Sequence, residues 1–179
     1  MAILRVDDFK GKLTGGGARP NLFDVNINFP AYVSTVSGNV TEATNFLCKA
    51  AQLPGSTMGM IPVPFRGRQV KVAGDRTFEP WTITIINDTD FAIRDAFEVW
   101  MNGINGHESN TGLTNPVTYQ SDMDVRQLDK DGDVLKTYRL RGAFPTAITP
   151  IDLAYDANDA IEEFQVTLEF QYWVSGTTS

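Results

Sequence analysis

Along residues 70–100 the spacing of apolar side chains changes once, from every second position to every third or fourth. Val70 and Val72 flank Lys71, the alternation of a half-buried strand. Gly74-Asp75 reads as a turn pair. A second run, Trp81 to Ile86, is rich in the β-branched and aromatic residues that suit a pleated surface. Pro80 stands at its leading edge, where a missing N–H does little harm. Asn87-Asp88-Thr89-Asp90 then ends the strand and offers side chains able to cap a helix. From Phe91 the period is helical. Ile93, Ala96, Phe97, Trp100 and Met101 share one face, and Arg94, Asp95, Glu98 and Asn102 the other. Gly103 is placed to stop that helix, the single one the pattern predicts with force.

Elsewhere the period is two. Phe23, Val25, Ile27 and Phe29 alternate with Asp24, Asn26 and Asn28, and Pro30 closes the run. Residues 31–43 are small and polar and read as a loop. Thr44 to Ala51 reads as a second strand, ended by Leu53-Pro54-Gly55. Gly59 to Phe65 carries Pro62 and Pro64, which argues for an edge or a bulge. Thr118 to Arg141 reads as a long hairpin turning at Lys130-Asp131-Gly132-Asp133. Its charges occupy both sets of alternate positions, so at least one side is wet. Gly142 to Ile148 prolongs its second arm past Pro145. In the last strand Phe164, Val166, Leu168, Phe170 and Tyr172 oppose Gln165, Thr167, Glu169 and Gln171. About seven strands and one helix without a βαβ rhythm predict a mainly β fold: an antiparallel sandwich or small barrel with one flanking α-helix. Such a sheet leaves edges, and edges invite pairing. Either the domain closes on itself, as a monomeric ligand-binding barrel does, or its edges meet copies of the same chain.

Composition narrows the chemistry. A chain of 179 residues with 42% hydrophobic content is most simply one domain with a core. No apolar run is long enough for a membrane span, and Met1 to Leu13 mixes apolar with charged residues, unlike an export signal. A single cysteine, Cys48, excludes an internal disulfide and reads as a small buried side chain. The net charge of −7 argues against a surface that grips phosphates as a whole. It suits a surface past which DNA slides without sticking. No enzyme reading survives. His107, the chain's one histidine, has no second His or Cys for a metal and no nucleophile pattern beside it. The Gly15-Gly16-Gly17 run lacks the Lys-Ser/Thr of a phosphate loop. Asp129, Asp131 and Asp133 suggest a calcium loop only superficially, because the glycine comes one place early and no glutamate follows. No cofactor and no metal are expected.

Several of these stretches, in order, carry a resemblance: Ala18-Arg19-Pro20-Asn21-Leu22-Phe23, Cys48-Lys49-Ala50 with Leu53-Pro54-Gly55, Ile61-Pro62-Val63, and the run from Val72 to Asp90 with its helix. Gly142-Ala143-Phe144-Pro145-Thr146 and Phe164 to Trp173 follow. Together they resemble the tail tube proteins of contractile-tailed bacteriophages, and more distantly the tube proteins of type VI secretion. The likeness runs from Ala18 to Trp173. It implies a flexible arm over residues 1–17, one tail-tube β domain over 18–174, and a short tail over 175–179. It also implies six-membered rings stacked head to tail, whose inner strands join one ring-wide β-barrel. The tube would be a virion component assembled in the host cytoplasm, conducting DNA during ejection without sequence-specific binding. Its partners would be copies of itself, a tail sheath, a tape-measure protein, a baseplate and a tail terminator, with no membrane anchor.

On that resemblance the Thr118–Arg141 hairpin is the candidate channel lining, with Thr44–Ala51 and Gln69–Ala73 as companions. Either Asp122 and Asp124, or Gln127 and Asp129 opposite them, would face the bore. Ile3, Leu4, Phe9, Arg66 and Arg68 are the candidate inter-subunit contacts, and the loops at 31–43 and 103–116 candidate ring-to-ring contacts. A bacteriocin-type or secretion tube carrying no DNA is the alternative of the same architecture.

Overall fold

The computed structural model describes residues 6–13, 17–33 and 40–178. Its elements are α1 (Val6–Lys12), β1 (Phe23–Ile27), α2 (Val40–Leu47), β2 (Cys48–Ala51), β3 (Thr57–Phe65), β4 (Arg68–Thr77) and β5 (Trp81–Ile86). There follow α3 (Ala92–Ile104), α4 (Pro116–Tyr119), β6 (Ser121–Leu128), β7 (Val134–Ile148), β8 (Glu163–Glu169) and β9 (Tyr172–Ser175). The fold is mainly β, as the period-two runs require.

Seven strands make one antiparallel sheet in the order β1-β6-β7-β8-β5-β2, with β9 also on β7. The 15-residue β7 organises it. Residues 134–143 pair with β6, Tyr138–Arg141 also pair with β9, and Phe144–Ile148 pair with β8. Between these partnerships Gly142 takes φ +63, a left-handed conformation that a side chain resists, so the glycine lets one strand serve both halves. Among the described residues the sheet ends at β1 and β2 and does not close into a barrel. β3 and β4 form a separate two-stranded sheet.

Alternation puts Val25, Ile27, Met123, Val125 and Leu140 from one half of the sheet into the core. Ile83, Ile85, Phe164, Val166 and Leu168 come from the other half, all nearly inaccessible. Helix α3 adds Ile93, Ala96, Phe97 and Trp100, the expected face, with Met101 only partly covered. Phe97 stacks on Trp100 at 6.1 Å, and Phe29 meets both edge-on at 5.1 and 5.6 Å. The buried indoles are satisfied: Trp100 donates to the Tyr119 carbonyl and Trp81 to that of Gln52, each at 2.7 Å. Each buried side chain of this size contributes about 1.5–3 kcal/mol, so the sheet and α3 carry the domain's stability.

Several expectations are corrected. Residues 31–33 are helical, and residues 34–39 of the expected loop lie outside the described residues. Val40–Leu47 is a helix, so the second strand begins only at Cys48, and α3 is not the single helix. Gly74-Asp75 is not a turn. It lies inside β4, where Gly74 crosses the Gly59 backbone closely beside a register shift at Met58/Met60. Val70 and Val72 are not half buried but 53% and 50% exposed. No side chain of residues 87–90 caps α3; Phe91 is its N-cap at φ 55 without a side-chain hydrogen bond. Asn87 is occupied elsewhere, donating from Nδ2 to Glu162 Oε2 at 3.0 Å. Gly103 does not end α3, which reaches Ile104. A Cβ there would lie 2.5 Å from the Tyr32 ring, so the glycine makes room for that ring. The last strand breaks at Phe170-Gln171, leaving Tyr172 on β9.

Candidate assembly surfaces

The strand that buries Met123 and Val125 must turn Asp122, Asp124 and Arg126 the other way. Register does the same on the neighbours: Asn26 and Asp24 of β1 face Asp124 and Arg126, and Arg139 and Thr137 of β7 face the same two residues. The result is a charge ladder across three strands. Arg139 Nε donates to Asp124 Oδ1 at 2.8 Å. Arg126 lies 3.3 Å from Asp24 and 3.9 Å from Asp124. Arg141 pairs with Asp122, whose other oxygen accepts from the Gly142 N–H at 3.1 Å. Asp124 is 8% exposed and has two guanidiniums at its carboxylate, so its burial is compensated. The hydrogen bond and the charge of Asp124 hold the Arg139 guanidinium above its ordinary pKa.

The other two expected lining residues do not share this surface. Gln127 is on the Met123 side, where its Nε2 donates to the Arg19 and Leu22 carbonyls, each at 2.6 Å. Asp129 belongs to the turn, its Oδ1 accepting from the Lys130 N–H at 2.8 Å. Of the expected companions, 44–47 is helical and Cys48–Ala51 is an edge strand on β5, whereas Gln69–Ala73 belongs to β4.

The β3–β4 hairpin is the second surface. Its register pairs Ile61 with Val72, Val63 with Val70, and Phe65 with Arg68, while Pro62 meets Lys71 and Pro64 meets Gln69. Cross-strand partners share a face, so Ile61, Val63, Phe65, Val70 and Val72 lie together with Arg68 at the tip end, while Lys71 and Gln69 lie on the opposite face among Met60, Pro62, Pro64 and Ala73. Ile61, Val63, Phe65, Val70 and Val72 are all 45–61% exposed. The base of the hairpin is fixed: Trp173 Nε1 donates to the Gly55 carbonyl at 3.0 Å, and Phe78 packs on Phe170 and Trp173. At its tip Arg66 (φ 45) and Gly67 (φ 80) make the turn, with the Arg66 guanidinium 5.4 Å from the Phe65 ring centre; Arg68 opens β4, exposed. The alternation of Ile61, Val63 and Phe65 was a readable signal for this face.

On α1, Val6 and Phe9 are 70% and 66% exposed. Ile3 and Leu4 lie outside the described residues. His107 sits on the exposed loop after α3, its backbone N–H donating to Asn102 Oδ1 at 3.1 Å. Among the described residues no group of three His, Cys, Asp or Glu side chains could hold a metal, and no helix is long and apolar enough to cross a membrane.

Known proteins match both the sequence and the fold. The family described as phage tail tube protein matches residues 18–176. Tail tube protein gp19 of Enterobacteria phage T4 is 36% identical over 170 residues, covering 94% of this chain and 98% of that protein. Two solved structures share the fold. The tube terminating cap of the anti-feeding prophage has TM-score 0.63 at 17% identity, covering 100% of this chain and 95% of that one. A chain of the 6-fold symmetrised baseplate of the same particle has TM-score 0.60 at 12% identity, covering 89% and 95%.

Proposed function

The chain belongs to the phage tail tube protein family, and from that premise we propose that its copies close into six-membered rings that stack head to tail as a DNA conduit. As a tail tube protein of contractile phage tails it is a structural component of the virion, not an enzyme. The observation that carries the ring is the β3–β4 hairpin. A soluble monomer rarely presents so continuous an apolar surface. Here five apolar side chains lie exposed on one face of a hairpin whose base is anchored. A second copy is the occupant that fits. In a ring, each hairpin lays its apolar face on the neighbouring subunit and adds two strands to a shared sheet. The Lys71 and Gln69 face of β3–β4 and the charged face of β6–β7 then form one wall around the bore, with Asp122 and Asp124 on it. Arg66 and Arg68 at the tip meet an acidic surface of the neighbour, supported by the chain's net charge of −7. Phe9 of α1, with Ile3 and Leu4 ahead of it, contacts the next ring. Such a contact is not self-complementary and does not close, so it produces a tube.

The conduit reading takes DNA as cargo because the 36% relative is a phage protein, whereas the two anti-feeding prophage structures are similar at only 17% and 12%. The sheath lies outside, the tape-measure protein inside during assembly, and the baseplate and terminator at the ends. A monomeric ligand-binding barrel is disfavoured by the open sheet and the packed core. Negative-stain images of the purified chain, alone and seeded with tail baseplates, test the reading. Rings or rods with a central hole are expected. A monodisperse monomer in both preparations would overturn it.

A further inference from the structure

Three arginines on one sheet face are a phosphate-binding strip in the making. A guanidinium offers a planar fork matched to phosphate oxygens, and neutralised phosphates supply most of non-specific DNA affinity. None of the three is free here. Arg141 is held by Asp122, Arg139 by Asp124, and Arg126 by Asp24 and Asp124. Three carboxylates against three guanidiniums sum to zero, so the chain's excess negative charge lies off this face.

Asp124 is the more buried partner in both of its pairs. The Asp124 side chain is 12% exposed, against 48% for Arg139 and 36% for Arg126. Asp122 is about as exposed as Arg141, 43% against 39%, and is tied to the backbone at the β7 bend through the Gly142 N–H. A passing phosphate must displace a carboxylate that is already in place. We propose that Asp122 and Asp124 are masking residues: they occupy the arginines of the β6–β7 face so that this face does not bind DNA. The idea rests on that face lining the bore. It explains what the acidic side chains do there: they cancel a basic strip instead of repelling the cargo.

The test is DNA binding by the full-length chain, read as anisotropy of a short fluorescent duplex across a salt series. Wild type should show no saturable binding at low salt. The D122N/D124N variant, whose amides still accept hydrogen bonds, should bind at least about tenfold more tightly. Its log–log salt slope should be about −2 to −3, the value for two or three phosphate contacts. Adding R139Q and R141Q should abolish that binding. A control of equal net charge, D152N/D156N in the exposed segment before β8, should remain inert. If the double variant folds poorly, Asp24→Asn on edge strand β1, which leaves Arg126 only its 3.9 Å contact with Asp124, should give a smaller gain. A folded D122N/D124N protein no better than the control, or a wild type that already grips DNA, overturns the proposal. These measurements need no rings, so their failure leaves the tube reading standing. Failure of the tube reading shows separately, in images and in labelling of assembled particles.

Discussion

Cys48 lies where α2 passes into β2, and burial lifts its thiol from 9.0 to about 11. Its Sγ–H donates to the Ala50 carbonyl at 3.6 Å. Tyr32 is raised from 10.0 to about 12 by desolvation, and its hydroxyl donates to the Trp100 carbonyl at 2.9 Å. Both groups are neutral when protonated, so the folded state holds its protons more tightly than the unfolded chain. Stability follows the sign of that difference. It is fully present below pH 9.0 and is lost as pH climbs through about 11 for the thiol and about 12 for the phenol. Denaturant unfolding at successive pH values should show a loss of about 3 kcal/mol from the thiol. Cys48→Ala should remove the part that begins near pH 9.0. Iodoacetamide at pH 8 should alkylate the native protein far more slowly than the unfolded one. A flat stability profile, or rapid native alkylation, would contradict the buried thiol.

Among the elements, the β3–β4 hairpin carries the most apolar surface that its own chain does not cover. Substituting Val63 and Val70, which face each other across its register, with aspartate puts two charges on the proposed contact and touches nothing in the core. Subunit stability should fall by no more than about 1–2 kcal/mol, from two exposed substitutions and the repulsion of like charges set opposite each other. Rings and rods should disappear. Sedimentation and a melting curve on the same sample check both halves, and a variant that still assembles would locate the contact elsewhere. This hairpin also shows where sequence reasoning runs out. Val70-Lys71-Val72 alternates correctly, but alternation reports that a face is covered without saying by which chain. In α2 two periods compete. Val40, Ala43, Thr44 and Leu47 are spaced for a helix, while Phe46, Cys48 and Ala50 alternate as in a strand. The helix wins because Val40 and Thr44 reach the core, and Thr44 satisfies its hydroxyl on the Val40 carbonyl at 2.7 Å. Phe46, left 82% exposed, is the residue that misleads. β1, β5, α3 and the β6–β7 hairpin are legible because each buries one face inside its own subunit. The acids of β6 are legible for the same reason. Their arginine partners are not, because pairing depends on register, which a single sequence does not display.

On the scale of the whole molecule, one long strand ties the two halves of the sheet together and carries the charge ladder, whereas the β3–β4 hairpin is anchored through Trp173 of β9 and Phe170. β7 supplies Arg139 and Arg141 to the charge ladder and Leu140 to the core, so the ladder cannot turn without breaking the fold. Which way that face looks in a particle is therefore fixed by how subunits pack, and it can be measured. Thr137 lies on the ladder face opposite Arg126 and is partly exposed. Thr137→Cys places a reactive thiol there, while the native Cys48 stays protonated and buried. In dispersed subunits the introduced thiol should react equally well with a small maleimide and with one carried on a globular protein. In assembled tubes the small reagent should still arrive through the bore, and the bulky one should be excluded. Bulky labelling of intact tubes at the dispersed rate would turn the ladder outward, toward the sheath, and take Asp122 and Asp124 off the channel wall. Because the substitution spares every charged residue of the ladder, the result reads orientation alone, independent of whether the face binds DNA.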